Sequence, residues 1–584
     1  MRRWPLVAAL GVAAALPVRH AYALPASALD SPGSLAPGGL PSSLAPPTTS
    51  EVPAPGAAGT EAAPGAGTEA APGATTETGP GGQLVVPRGV RPTSILPAPG
   101  AGWRVQPSIG VQEYFTDNAF QTPTNKSSDF ITGITPGLTL SDDGPRVQAS
   151  VNYQPTALIY ARNSSQTRFD QNFSGQATVT LVPDEVFLDA RGYVTQGASN
   201  GGFAPGNQVL LSRNQSTTVT TFTVSPYAVH RFGDIGTAEI GATLGTTSTS
   251  GGQTTGFDAF GTPVSGNPNG DSQSVEELAQ FTTGAILPRI QNRTQFDATQ
   301  QTGNVGTQQS TRFYATNRVE YALNHHFALI GEIGYENLRF SGFPPTRISD
   351  AIWRAGGRWD PDPDSSITIT YGHRDGFNSL FVNAYYALTA RTTLFASYTS
   401  GLQTDQDLIQ NNLSLAALDE NGQIVNSQNT GPLFISNNLT GFSDNLFRSE
   451  TLNASVTTSF DRDSVSFGVF RQQQTPIAVA SAGQAAQKQV GTSGDITWTH
   501  AISDVTNASL RGDYGTTNAS GSFLTGASLA TTNQEFIDLT ATLTRQFTPS
   551  LSGLAEYMYT HRSSDQPGLG FVQNLFLVGV QKTF

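Results

Sequence analysis

From Trp103 to the carboxy-terminus, apolar and polar side chains alternate with period two, the spacing that sends neighbouring side chains to opposite faces of a strand. Val147, Ala149, Val151 and Tyr153 fall on one face, and Gln148, Ser150, Asn152 and Gln154 on the other. The split recurs in Phe327, Leu329, Gly331, Ile333 and Tyr335 against Ala328, Ile330, Glu332, Gly334 and Glu336, and in Val465, Phe467 and Val469 against Ser466 and Gly468. One face suits lipid and the other tolerates water.

Connections between these segments alternate in length. Tight turns are read at 142–145, 183–184, 232–234, 324–325, 360–364, 389–390, 461–462, 502–503 and 548–549. Longer polar loops lie near 118–128, 197–215, 249–272, 341–349, 403–446, 474–486, 517–532 and 563–570. Short turns at one rim and long loops at the other are the asymmetry of outer-membrane barrels. The alternation predicts an all-β, antiparallel transmembrane barrel over residues 103–584 with about 22 strands, bounded by 18 and 24 because the stretch 273–302 does not divide cleanly. An even number leaves both barrel ends at the short-turn rim. The final strand carries Phe576, Val578, Val580 and a terminal Phe584, which reads as the signal taken by barrel-assembly machinery; Lys582 departs from that pattern.

The first hundred residues follow other rules. Arg2 and Arg3, an apolar run from Trp4 to Val18 and Ala21-Tyr22-Ala23 read as a signal peptide over 1–23, cleaved after Ala23. Residues 24–102 are rich in Pro, Ala and Gly and contain a near-repeat beginning at Gly59 and again at Gly67. Such a segment cannot bury enough apolar area to fold, so a disordered periplasmic tether is expected. It offers no sequence able to fold as a plug, which argues against an energised transporter.

Composition narrows the chemistry. Charged residues are 13% of the 584, and all but Lys126, Lys488 and Lys582 of the 31 basic residues are arginine, a residue suited to planar ion pairs along a lumen wall. Losing the leader takes away Arg2, Arg3 and Arg19 and moves the formal charge from −13 to −16, which excludes nucleic acid as a partner. With no cysteine there are no disulfides, thiolate metal sites or cysteine nucleophiles.

Tyr114-Phe115-Thr116-Asp117-Asn118, Asp129 to Leu138 (DFITGITPGL), and Gly144-Pro145-Arg146 leading to Tyr153 and Tyr160 resemble the opening strands of a β-barrel porin family of Gram-negative outer membranes. The likeness is to its members associated with exopolysaccharide and PEP-CTERM systems. It implies an outer-membrane location, contact with outer-membrane lipid, and polysaccharide or a periplasmic export component as partners.

If the alternation holds, Asp189, Arg191, Arg312, Arg318, Glu320, Glu332, Glu336, Arg354, Arg358, Arg511, Asp513 and Glu556 point into the lumen. Opposite charges two apart are expected to meet across the lumen, where rings of charge select solutes. Trp353, Trp359, Tyr321, Tyr557 and Tyr559 fall on the apolar face as interfacial girdle residues. Phe187, Tyr193 and Tyr314 are the aromatics on the polar face that a sugar path would use. His325 and His326 are adjacent and expected to splay apart, with no spaced ligand beside them. Neither a metal or cofactor site nor a catalytic set is read, so the expected function is a channel or conduit, not an enzyme. Exopolysaccharide export is what the resemblance implies; a general small-solute porin and a loop-plugged receptor or scaffold are the alternatives. A barrel this wide would leak, so inward-folded loops, especially 403–446, are predicted to narrow it.

Overall fold

The computed structural model describes residues 102–584 except 200, 206–209, 252–253, 259–262, 267–269, 305, 363–364, 419–423, 427–432, 436–438, 483, 524–530 and 566–568. The signal-peptide and tether expectations, over 1–23 and 24–102, lie outside the described residues apart from Gly102.

Twenty-two antiparallel strands close into one barrel. In chain order they are β1 (Arg104–Thr116), β2 (Asp129–Asp143), β3 (Val147–Tyr153), β4 (Phe173–Val182), β5 (Val186–Ala198), β6 (Ser216–Arg231), β7 (Gly236–Gly251), β8 (Gly270–Thr283), β9 (Ile290–Gly303), β10 (Ser310–Ala322) and β11 (Phe327–Phe340). There follow β12 (Thr346–Asp362), β13 (Ser365–Arg374), β14 (Phe377–Thr389), β15 (Thr392–Gln403), β16 (Leu446–Ser459), β17 (Asp463–Ala478), β18 (Gln484–Ser503), β19 (Thr506–Phe523), β20 (Thr532–Thr548), β21 (Leu551–Ser564) and β22 (Phe571–Thr583). Each pairs with its neighbours in sequence, and β1 meets β22 from Ser108 opposite Thr583 to Thr116 opposite Leu575. Closing β1 on β22 removes the free edge strands, so the backbone groups of the wall pair between neighbouring strands, as hydrocarbon requires.

Two strands are broken. Proline has no amide to donate, and Pro155 interrupts β3, whose line resumes at Thr156–Tyr160 against β2. The facing segment Arg168–Asp170 rejoins β4 after Gln171 and Asn172. The uncertain stretch 273–302 resolves into β8 and β9, joined by a short turn at 284–289. A second unforeseen feature is the tight Asp375-Gly376 turn between β13 and β14, which stands at the long-loop rim.

Outward positions form the lipid belt. Val105, Ile109 and Val111 on β1, Leu329, Ile333 and Tyr335 on β11, and Phe576, Val578 and Val580 on β22 are all exposed. Phe576 packs against Tyr557 with ring centroids 4.7 Å apart. Trp359 and Tyr321 lie outward near the short-turn rim, while Trp353 sits further along β12, one pair from the end of β13. The architecture is that of an outer-membrane barrel: even strand number, short turns at one rim, long loops at the other, and an apolar exterior.

The inner face is less uniformly polar than the alternation suggests. Tyr114, Ile131, Leu158, Tyr160, Leu554, Met558, Leu575 and Leu577 form a buried apolar patch inside the wall, with Leu210 packed against it. That patch tolerates its place because a loop covers it.

Candidate functional site: a lumen closed by its own loops

The loop after β15 begins with a helix, α1 (Asp405–Leu415). Thr404 accepts from the Asp407 amide at 3.2 Å and the Asp407 carboxylate accepts from the Thr404 amide at 3.0 Å, a reciprocal cap on two otherwise unsatisfied donors. Ile409 and Leu413, four apart, share the face that packs on Tyr193 of β5 and Val219 of β6. A start beside β15 and contacts on β5 and β6 require the helix to cross the lumen.

Wall residues along that crossing hold it. Arg312 of β10 pairs with Asp407 at 3.0 Å, and Ser274 of β8 donates to Gln410 at 2.9 Å. At the far end, Arg191 of β5 donates to the carbonyls of Ser414 at 2.9 Å and of Leu413 at 3.5 Å, and also to that of Ala416. The last turn of a helix leaves carbonyls unpaired and carries negative partial charge, and α1 has no basic residue there; the wall supplies the cation. Asp189 fixes Arg191 at 2.9 Å in turn.

Asp405 is buried, accepting from the Ser443 amide at 2.6 Å and from Gln474 at 3.0 Å. Burial pushes its carboxyl up to about 7 against those hydrogen bonds, with Asp444 adding to the rise.

A second loop, 199–215, completes the closure from the opposite wall. Gly202 donates to the Leu439 carbonyl at 2.8 Å and Phe442 to that of Ser199 at 3.3 Å, so the two loops join, against the wall where Thr517 of β19 also donates to Leu439 at 3.3 Å. A Cβ on Gly201, which has φ +65°, would stand 2.5 Å from the Gly441 nitrogen, a fit that favours glycine. Leu439 packs with Ala204 and with Phe536 of β20, and Phe203 packs with Phe571 of β22. Arg562 of β21 lies over the Phe203 ring, 4.8 Å from its centroid, and Arg511 of β19 reaches the Pro205 carbonyl at 3.4 Å. Gln121, in the first long loop, clasps the segment by donating to Leu210 at 3.0 Å and accepting from Ser212 at 2.8 Å.

Above these, a hairpin of Thr254–Asp258 and Pro263–Gly266 pairs with Gln484 and Ala485 of β18. Phe343 and Val479 exchange both backbone hydrogen bonds, at 2.8 and 3.0 Å, between loops of non-adjacent strands.

The twelve charges read as lumenal all occupy inward positions by strand alternation, but their pairing differs from expectation. Arg191 with Asp189, Arg318 with Glu320 and Arg511 with Asp513 pair along one strand, not across the lumen. A lumen this wide separates opposite walls, so the neighbour two residues away wins. Arg358 bridges Glu320 at 2.8 Å and Asp360 at 2.9 Å. Glu336 accepts from the amides of Asp375 and Gly376 at 2.8 and 2.9 Å, drawing the β13–β14 turn inward. Glu556 accepts from Thr542 at 3.1 Å. Glu332 and Arg354 face one another in register.

Of the inward aromatics, Phe187 stacks on Tyr227 at 5.2 Å, Tyr193 lies beneath α1, and Tyr314 donates to Asp375 at 2.8 Å. The three are separated and covered, not a continuous track. His325 and His326 do not splay: their rings stand 4.5 Å apart at the short-turn rim, and His326 Nδ1 lies 2.9 Å from the Asp360 carbonyl.

No family model matches the chain, and no curated protein matches it. Among solved structures, the FrpB iron transporter from Neisseria meningitidis (F5-1 variant) in its apoprotein form is 11% identical, with 82% of this chain and 81% of that one covered and a TM-score of 0.48. The ferric-catecholate import receptor Fiu from E. coli K12 is 10% identical over 82% and 81%, with a TM-score of 0.46. OccK1 (OpdK) from Pseudomonas aeruginosa is 9% identical over 82% and 99%, with a TM-score of 0.33. Likeness at this level leaves the solute to be argued from the lumen itself.

Proposed function

We propose that this chain is an outer-membrane conduit held shut at rest by its own loops, and that withdrawal of α1 opens it. One observation carries the reading: a helix crosses the lumen and is fastened at both ends by wall arginines, Arg312 and Arg191. Its apolar contact with the wall is small, essentially Ile409 and Leu413 on Tyr193 and Val219. Polar fastenings exchange with water at modest net cost, whereas a large apolar interface would hold the plug permanently.

On this reading a leader ending at Ala23 is removed on export, assembly machinery takes the Phe584 strand, and residues 24–102 tether a periplasmic partner. The finer reading, a conduit for exopolysaccharide, rests on the motif likeness at residues 114–160 alone.

Liposome swelling tests the proposal. Intact protein should admit neutral sugars slowly, and the Arg191→Ala/Arg312→Ala double variant should admit them faster. Equal, rapid swelling by both would mean the lumen is already open and would reject the closed state.

A further inference from the structure

The plug occupies the long-loop half of the lumen, and below it one sector of wall is lined by arginine. Arg312 on β10, beside the plug, begins the line. Arg374 on β13 follows, lying over the Tyr314 ring with 4.4 Å to its centroid. Next comes a single cross-strand row in which Arg293 of β9, Arg318 of β10, Glu332 of β11 and Arg354 of β12 stand in successive register. Arg358, four residues further along β12, ends the line near the short-turn rim. Two residues along a strand are roughly 7 Å, so these side chains are spaced like rungs along the wall.

Three of the six rungs are paired, and Arg374 is held over the Tyr314 ring. Arg312 has Asp407, Arg318 has Glu320, and Arg358 has Glu320 and Asp360. Several acids of the sector are committed too. Glu320 gives one oxygen to Arg318 and the other to Arg358, Asp360 also accepts from Ser366, and Glu336 takes two backbone amides. Glu239, the other acid near Arg293, accepts from Gln280 at 2.8 Å.

Arg293 and Arg354 are different: among the described residues neither makes an ion pair or a side-chain hydrogen bond. Arg293 stands directly opposite Arg318, an arrangement that repels, and Glu332 forms no ion pair with Arg318 or Arg354. Glu332 is the one carboxylate in a row that holds three guanidiniums, Arg293, Arg318 and Arg354, so the half-buried row carries an excess of positive charge. A guanidinium offers a planar fork that matches carboxylate and phosphate oxygens two at a time.

We propose that the lumen below the plug holds a binding site for an oxyanion, with Arg293 and Arg354 as its ligands and Arg318 between them as a shared donor. The ligand is the carboxylate or phosphate group of a solute in transit, and the rungs on either side hand it along the wall. Basic rings select anions in pores, and here the selection is confined to one sector of a chain whose formal charge is −13. The proposal deepens the conduit reading but is tested on the closed protein.

Full-length protein in nanodiscs, whose two rims are both open to solution, is titrated calorimetrically with inorganic phosphate and separately with galacturonate. Saturable binding of either probe is expected, and the tighter one assigns phosphate or carboxylate. The Arg293→Gln/Arg354→Gln variant should weaken binding by roughly tenfold or more, since charge-assisted hydrogen bonds are lost. Arg293→Lys/Arg354→Lys, which keeps charge without the fork, should fall between, and Arg347→Gln on the outer face should bind as the unaltered chain does. Absence of binding by the unaltered protein, or binding unchanged in the glutamine variant, overturns the site. Neither result depends on whether the plug opens, so failure of the site and failure of the conduit reading are separable.

Discussion

Arg191, on the wall, donates through Nη1 to the carbonyl of Ser414 at 2.9 Å, joining β5 to the end of a helix that starts beside β15. The contact serves two needs together. It satisfies the carbonyl end of α1, and it fixes the helix across the lumen.

Replacing Arg191 by Ala should therefore loosen the plug without disturbing the barrel. Loss of a charge-assisted hydrogen bond costs roughly 1.5–3 kcal/mol, enough to raise the undocked population about tenfold or more. Limited proteolysis checks this: cleavage within 404–445 should accelerate, while barrel unfolding in urea stays within error. Unchanged cleavage would remove Arg191 from the latch.

Closure should depend on pH through Asp405. Its carboxyl is raised to about 7 in the docked helix, against an ordinary value near 3.9 in the released one. The docked state thus binds the extra proton, and docking is favoured by it below about pH 4. That contribution is lost as pH rises through 7. The plug is then weakest above pH 7, where Asp405 is buried and charged, with at most about a tenfold change per pH unit between. Asp405→Asn should flatten the proteolysis rate between pH 5 and 8; an identical pH profile in the variant would exclude this carboxyl.

The junction of the two loops should be sensitive to side-chain volume. Gly201 sits at φ +65° with backbone 2.5 Å from where a Cβ would be. Gly201→Val strains the backbone by about 1–3 kcal/mol and collides with Gly441, so loops 199–215 and 404–445 should become accessible together. Hydrogen exchange of both loops measures it; protection lost in one loop alone would contradict their joint closure.

The outward face of β22 should tolerate no charge. Phe576 lies against Tyr557 and Phe115 in the lipid belt. Phe576→Arg should cost roughly 2–4 kcal/mol if the position lies near the bilayer midplane, read as lower refolding yield into vesicles. Full yield would place the residue outside the belt.

Much of the barrel was legible from the chain because period-two alternation is local. Phe327 to Tyr335 reveals its lipid face without knowledge of any partner. The turn at 284–289 was missed since Gly284 to Arg289 carries a weak turn signal between two polar strands, and the Asp375-Gly376 turn because it is as short as those at the other rim. The inward charges could be placed by face, yet their partners could not: Arg358 meeting Glu320 depends on the register of three strands. Helix α1 left one sign, Thr404 three residues before Asp407 with Ile409 and Leu413 four apart, which matches a cap followed by a short apolar stripe. Its docking partners, Arg191 and Arg312, are distant in sequence and visible only once the barrel closes.

The central claim is that the lumen is shut by these loops, and single-channel conductance in a planar bilayer tests it most directly. The intact protein should be silent or open only in rare events, and replacing 405–444 by a short linker should give large, ohmic conductance. Equal large conductance in both would contradict the closed state, and silence in both would turn the barrel from a conduit into a receptor or scaffold.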